Sequence, residues 1–325
     1  MARSAEPGAD GPLSPGAAGR IVMRMDFRVI VVPGRGAEDV VVAPDGAVYT
    51  GTEDGVIHRI DPESGDVAAV ANTGGRPLGI ELLGGGRLLV CDARRGLLAV
   101  DPADGTVEEL VGGMKFCNNA AVAADGTIYF SDSSEIHPID EWRNEMLEVT
   151  RTGRLRRRDP DGKVSTIEKD LAFANGVALA QDESFVAVAE TALRTIVRHW
   201  LTGPRAGSRD YLAEDLPGYP DNIALGSDGL IWVALASPKD SLVERIQQGP
   251  LWLRRNLTRI PQPLQPGPKR TVRVQAYDNL GGLVHDLSGD NKRYHMVTGV
   301  REHGGRVWVG SLHEPAVAVL TSSGA

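Results

Sequence analysis

The sequence predicts an all-β protein, a six-bladed β-propeller of four-stranded antiparallel blades. Three observations carry this. Apolar runs of strand length alternate with Asp-Gly and Gly-Gly turns along 325 residues that include 39 Gly and 20 Pro. One phrase recurs: an acid or amide, a short apolar strand, a tight turn and a second apolar strand. It begins at Glu38, Asn118, Asn175 and Asp221, with turns at Asp45-Gly46, Asp125-Gly126, Asp182-Glu183 and Asp228-Gly229. The turn Asp-Pro-x-x-Gly closes the third strand of the first two units, at 61–65 and 101–105. Repeats of this length, each with room for four short strands, read as propeller blades.

The units follow in order. The first spans 37–70 and the second 76–111. The third, 116–167, carries an insertion at about 133–152, between its second and third strands. The fourth spans 173–212. The fifth, 219–287, holds a longer insertion at about 238–269. Within it, 242–246 and 251–257 have helical spacing, and 261–268 is a proline-rich return. The sixth starts near Met296, turns at Gly304-Gly305 and ends with 316–320, one strand short. A free strand at 27–32 precedes the first unit and is expected to complete blade six, which leaves no open sheet edge. Residues 1–22, rich in Gly, Pro, Ala and Ser, read as a disordered tail, and 23–325 as the propeller.

Charge and cysteine content narrow the function. The net charge is −8 and no basic stripe runs along the chain, so nucleic acid is not an expected partner. The short basic run 154–158 reads as a solvated strand edge. Cys91 and Cys117 are the only cysteines, which excludes a disulfide framework and suits a reducing cytoplasm. No signal-peptide core and no run of 18 apolar residues occurs, so a cytoplasmic protein without a membrane span is expected.

The first strand of each propeller blade lines the central channel, so residues just before those strands gather at one end of the axis. Here they are Glu38, Leu78, Asn118, Asn175, Asp221 and Thr298, with Asn222 as a possible fifth oxygen donor. Two carboxylates held a few ångströms apart in a partly dry channel repel by on the order of several kcal/mol. A hard divalent cation satisfies them together with the amides, and all-oxygen ligation suits Ca²⁺, with Mg²⁺, Mn²⁺ or Zn²⁺ as alternatives. No Cys/His cluster has zinc spacing.

Several stretches resemble the strictosidine synthase-like proteins: 173–179, Glu190-Thr191, Trp200-Leu201-x-Gly203-Pro204, 217–223 and 128–134. The resemblance covers nearly all of the chain from about residue 25. That group is similar to a wider set of six-bladed propellers that includes gluconolactonases, paraoxonases and diisopropylfluorophosphatase. Its hydrolytic members hold a catalytic calcium by Glu, Asn, Asn and Asp, which the resemblance places at Glu38, Asn118, Asn175 and Asp221. The paraoxonase pattern adds Asn222. Two departures stand out. The glutamate that true strictosidine synthases use on the last blade is replaced by Thr298, and the paraoxonase histidine of blade two by Leu78.

The resulting expectation is a metal-dependent hydrolase of a lactone or related ester, with Asp221 and Asn118 as candidate catalytic residues. Asp221, or a water it holds, is the candidate base. Two other readings stay open: a binding propeller in which the ion only rigidifies the channel, and a metal-free lyase of the strictosidine type. The two insertions are expected to form a lid, with Trp142, Met146, Leu251 and Trp252 as an apolar wall. His313 is a minor acid–base candidate, as is His137. His303 should lie at the far end, Cys117 should be a buried thiol, and the role of Glu190 is open. Asp39 and Asn119 should brace the ring.

Overall fold

All six expected blades are four-stranded antiparallel sheets in the computed structural model, which describes residues 23–260, 269–289 and 294–322. A first strand, β1 (Met23–Val31), precedes them. Blade one is β2 (Val40–Val42), β3 (Val48–Gly51), β4 (Val56–Ile60) and β5 (Val67–Asn72). Blade two is β6 (Pro77–Leu83), β7 (Arg87–Asp92), β8 (Gly96–Val100) and β9 (Val107–Val111). Blade three is β10 (Cys117–Val122), β11 (Ile128–Asp132), β12 (Gly153–Arg158) and β13 (Val164–Leu171). Blade four is β14 (Ala174–Leu179), β15 (Phe185–Glu190), β16 (Thr195–Trp200) and β17 (Arg209–Ala213). Blade five is β18 (Gly218–Leu225), β19 (Ile231–Pro238), β20 (Val272–Tyr277) and β21 (Leu283–Gly289). Blade six is β22 (Val297–His303), β23 (Arg306–Ser311), β24 (Ala316–Ser322) and the early strand β1.

The closing strand is where the sequence places it. β1 pairs antiparallel with β24 from Met25↔Ser322 to Val31↔Ala316. It also makes an unexpected parallel pairing with β21, at Met23↔Leu287 and Arg24↔Ser288, which joins the rims of blades five and six. Phe27 packs on the apolar layer between blades five and six, and Ile30 and Val32 on the layer between blades six and one. The core is therefore divided. Each neighbouring pair of blades encloses its own apolar cluster, because both faces of every sheet are covered.

Among the described residues three α-helices occupy the two insertions: α1 (Trp142–Glu148) in blade three, α2 (Ser241–Gln247) and α3 (Leu251–Thr258) in blade five. Asp240 caps α2 by accepting from the Leu242 and Val243 amides. The insertions are tied to each other. Gln247 Nε2 donates to the Met146 carbonyl at 2.8 Å, Arg255 Nε donates to Glu148 at 3.2 Å, and Arg254 donates to the Glu148 carbonyl. The expected disordered tail, 1–22, and the proline-rich return, 261–268, lie outside the described residues. Among the described residues no helix is long and apolar enough to cross a membrane.

The first strands share an irregularity that builds the site. In blades two to six a β-bulge sets two residues opposite one: Leu78-Gly79, Asn118-Asn119, Asn175-Gly176, Asp221-Asn222 and Thr298-Gly299. Glu38-Asp39 occupy the corresponding place ahead of β2. The oxygen-bearing residues of blades three to five thus lie inside the first strands, at the bulge, rather than before them as expected.

Candidate metal centre

The first residues of the bulge pairs include Glu38, Asn118, Asn175 and Asp221, and all four line one cavity of about 410 Å³ at the end of the axis. They are nearly inaccessible, at 3%, 2%, 2% and 7% exposure. Glu38 Oε2, Asn118 Oδ1, Asn175 Oδ1 and Asp221 Oδ1 are buried and accept no hydrogen bond. A buried oxygen without a donor costs about 1–3 kcal/mol, so four at one place mark a missing positive partner.

Each amide is turned oxygen-inward by the same device. Asn118 Nδ2 donates to Ser133 Oγ at 3.0 Å, and Ser133 Oγ donates to the Ala174 carbonyl of the next blade at 2.6 Å. Asn175 Nδ2 donates to Thr191 Oγ1 at 3.1 Å, and Thr191 Oγ1 donates to the Pro220 carbonyl of the next blade at 2.7 Å. The nitrogen is used up on a hydroxyl, which leaves the oxygen for the axis. The other two positions carry no such donor. Leu78 is buried in an apolar cluster with Phe116 and Phe173. Thr298 Oγ1 donates to the Glu38 carbonyl at 2.9 Å and braces the backbone of that donor.

The electrostatics agree. Burial, then the Asp221 charge, lifts the Glu38 carboxyl well above the usual carboxylate range, with Arg76 opposing. Burial pushes Asp221 up to about 7 against a contact from Asn175 that lowers it. Arg76 offsets only part of the Glu38 shift and no cation offsets that of Asp221; a divalent cation would supply the missing charge. The donors are all oxygen and fit a hard cation such as Ca²⁺. Among the described residues no group of three or more His, Cys, Asp or Glu is placed to hold a metal ion without the amides.

Beneath the donors lies a second layer made by the second residues of the pairs. Around the ring it reads Asp39, Gly79, Asn119, Gly176, Asn222, Gly299, polar and glycine in strict alternation. Asp39 Oδ2 accepts from Asn119 Nδ2 at 3.1 Å and from the Ile80 amide at 3.2 Å, and Asn119 Oδ1 accepts from the Val177 amide at 2.8 Å. The glycines make this possible. A Cβ on Gly176 would sit 2.1 Å from the Ile223 nitrogen and 2.6 Å from Asn222 Cα, and one on Gly79 2.7 Å from Asn119 Nδ2. Asn222 belongs to this deeper layer. It does not line the cavity, although both of its amide atoms are buried and unpartnered.

Helices α1 to α3 contribute to the cavity through Trp142, Met146, Leu242, Val243, Ile246 and Leu257. The expected apolar wall is half right. Trp142 and Met146 are in it, whereas Leu251 and Trp252 point outward at 40% and 66% exposure, because Leu257 and Ile260 present the inner face of that segment. The remaining histidines and acids sort plainly. Glu190 accepts from the Ala172 amide at 2.9 Å and Thr195 Oγ1 at 3.0 Å, which ties blade four together. His137 is buried between Glu141 and Glu148 and does not line the cavity. His313 lines an adjoining cavity, and His303 is exposed at the end of β22. Burial, then the neighbouring Cys91, pushes the Cys117 thiol up, which keeps it protonated. Ser133 and Thr191, which orient the two amides of the candidate site, are the positions that sequence reading missed. Both follow the second strand of a blade whose first strand carries an asparagine.

The strictosidine synthase family model matches residues 118–204, and that of the strictosidine synthase-like N-terminal region matches 26–60. The strictosidine synthase-like 10 protein of Arabidopsis thaliana is 36% identical over 262 residues, covering 75% of this chain and 69% of that one. The adipocyte plasma membrane-associated protein of Salmo salar is 32% identical over 325 residues, covering 88% and 77%. The chain belongs to the strictosidine synthase-like family. Solved structures place the family's fold beside other propellers. A gluconolactonase from Xanthomonas campestris superposes with a TM-score of 0.66 at 17% identity, over 92% of this chain and 90% of that one. A calcium-binding regucalcin from Agrobacterium tumefaciens gives 0.65 at 14%, over 92% and 95%.

Proposed function

We propose that this strictosidine synthase-like protein is a divalent-metal-dependent hydrolase, with calcium the best fit, acting on a lactone or related ester with an apolar body. The observation that carries the reading is the set of four unpartnered oxygens on Glu38, Asn118, Asn175 and Asp221 facing one cavity. A divalent cation held there supplies a Lewis acid for an ester carbonyl and acidifies a water.

The chain's own groups do the rest. Asp221 presents Oδ1 to the cavity, where with the ion bound it would hold and orient a water for attack as an ionised carboxylate. Asn118, held through Ser133, presents a fixed dipole and cannot turn its nitrogen toward the reacting oxygen. Phe116, Trp142, Met146, Phe173 and Tyr219 keep water out and hold the apolar part of the substrate. The strictosidine-type reaction is disfavoured at this site, because Thr298 replaces the expected carboxylate and spends its hydroxyl on the Glu38 backbone.

The test is hydrolysis of a panel of lactones and aryl or alkyl esters before and after chelation, with Ca²⁺ add-back. Activity that falls on chelation and returns with the ion supports the proposal. Turnover that persists in chelator, or in Asp221→Ala with its ion still bound, refutes it.

A further inference from the structure

A second cavity, of about 280 Å³, adjoins the main one and shares Ile139, Trp142 and Leu312 with it. Its remaining walls are charged: Arg35, Glu53, Arg76, Asp140 and His313. The acids there are already taken. Glu53 pairs with Arg76 at 2.7 Å and Asp140 with Arg94 at 3.2 Å. Glu314, beside His313 in sequence, is held by His295 and Arg270.

The cations are not balanced in the same way. Arg35 has no ion pair among the described residues, nor does Arg143, which lines the main cavity and lies over the Trp142 ring at 5.3 Å. Arg76 is 7% exposed and its Nε is buried without an acceptor. Burial, then the neighbouring charges of His295, Arg143 and Arg35, lowers the His313 pKa, as expected where positive groups converge.

We propose that this side cavity is an anion subsite. It would take a carboxylate or phosphate borne by a substrate whose apolar body fills the main cavity, so the preferred substrate is an amphipathic anion rather than a neutral lipid or a free sugar. The chemistry favours guanidinium recognition, because Arg35 in the side cavity and Arg143 in the neighbouring wall of the main cavity offer unpaired forked donors that match both anions. The inference rests on the main cavity being the substrate site and does not depend on turnover.

The experiment is calorimetric binding of decanoate, decyl phosphate and decanol to the full chain, in Ca²⁺ and in chelator. It is repeated with the Arg35→Ala/Arg143→Ala double variant, whose sites are partly exposed and tolerate truncation. At least one anion should bind about tenfold or more tighter than decanol to the wild type. In the double variant that ratio, taken against decanol binding to the same variant, should fall to about threefold or less. Equal binding of all three probes by the wild type overturns the subsite, as does a ratio that survives the double substitution. A ratio that vanishes on chelation but survives the arginine substitutions places the anion on the donor ring and also overturns it. Failure of decanol itself to bind the wild type overturns the reading of the main cavity on which the inference rests.

Discussion

Replacing Thr191 with valine isolates what the hydroxyl relay contributes. The two side chains are nearly isosteric, so packing at this 6%-exposed position is preserved and only the oxygen is lost. Two hydrogen bonds go with it, from Asn175 Nδ2 at 3.1 Å and to the Pro220 carbonyl at 2.7 Å. At about 1 kcal/mol each, the metal-free protein should lose about 2 kcal/mol, read as a lower denaturant midpoint. The larger effect should be on the ion. Without the Thr191 hydroxyl the Asn175 amide loses its orienting contact, and loss of such a contact typically costs ten- to a hundredfold in metal affinity. Calcium titration by calorimetry measures this directly. Thr191→Ser keeps the hydroxyl and should bind within about threefold of the wild type. If the valine variant binds calcium as the wild type does, the relay does not set the amide and the argument for oriented donors fails. Ser133→Ala repeats the test at Asn118.

The same geometry sets three other outcomes. Chelation should lower stability, by about 2.7 kcal/mol relative to protein in an ion concentration one hundred times the dissociation constant, and a thermal melt that ignores both chelator and added Ca²⁺ would remove the case for the ring. Gly176→Ala should be severely destabilising, since its Cβ meets backbone at 2.1 Å, whereas Gly84→Ala, with nothing within 4 Å, should leave the denaturation midpoint unchanged. Asp210, chelated by Arg198 at 2.8 and 2.9 Å and touched by Arg205, is held down at about 2, so it stabilises the fold above about pH 4 and that contribution disappears as pH falls through about 2. Asp210→Asn should therefore cost about 1 kcal/mol after solvent screening at pH 6 and about nothing at pH 1, and an equal loss at both would show that the ion pair is not responsible.

The blades were legible because their signals are local. An Asp-Gly turn between two apolar runs fixes a hairpin without help from the rest of the chain, and the repeat multiplies that signal. The donors were legible for a related reason: Glu38, Asn118, Asn175 and Asp221 recur at one offset from those turns. Ser133 and Thr191 were not, because their value depends on which carbonyl of the next blade lies beneath them, a matter of sheet-to-sheet placement. Trp252 was misjudged because periodicity gives a helix a face but not the direction in which that face points. The alternating glycines were on view all along. Gly79, Gly176 and Gly299 each follow a ring position, yet only the close approach of the neighbouring backbone says why.

Blade six is assembled from the earliest described strand and the latest, since Val31 pairs with Ala316. On a ribosome adding about 5–20 residues per second, β1 would wait roughly 15–60 s for its partner to be made. During that interval its apolar residues, Ile30 among them, have no sheet to join, and blade one has no neighbour on one side. A ring of this kind cannot be completed by local steps. Its closure joins segments far apart in sequence, the type of contact that slows folding most. Agents that shield an unpaired strand should therefore raise the yield of such a ring more than agents that favour hairpins.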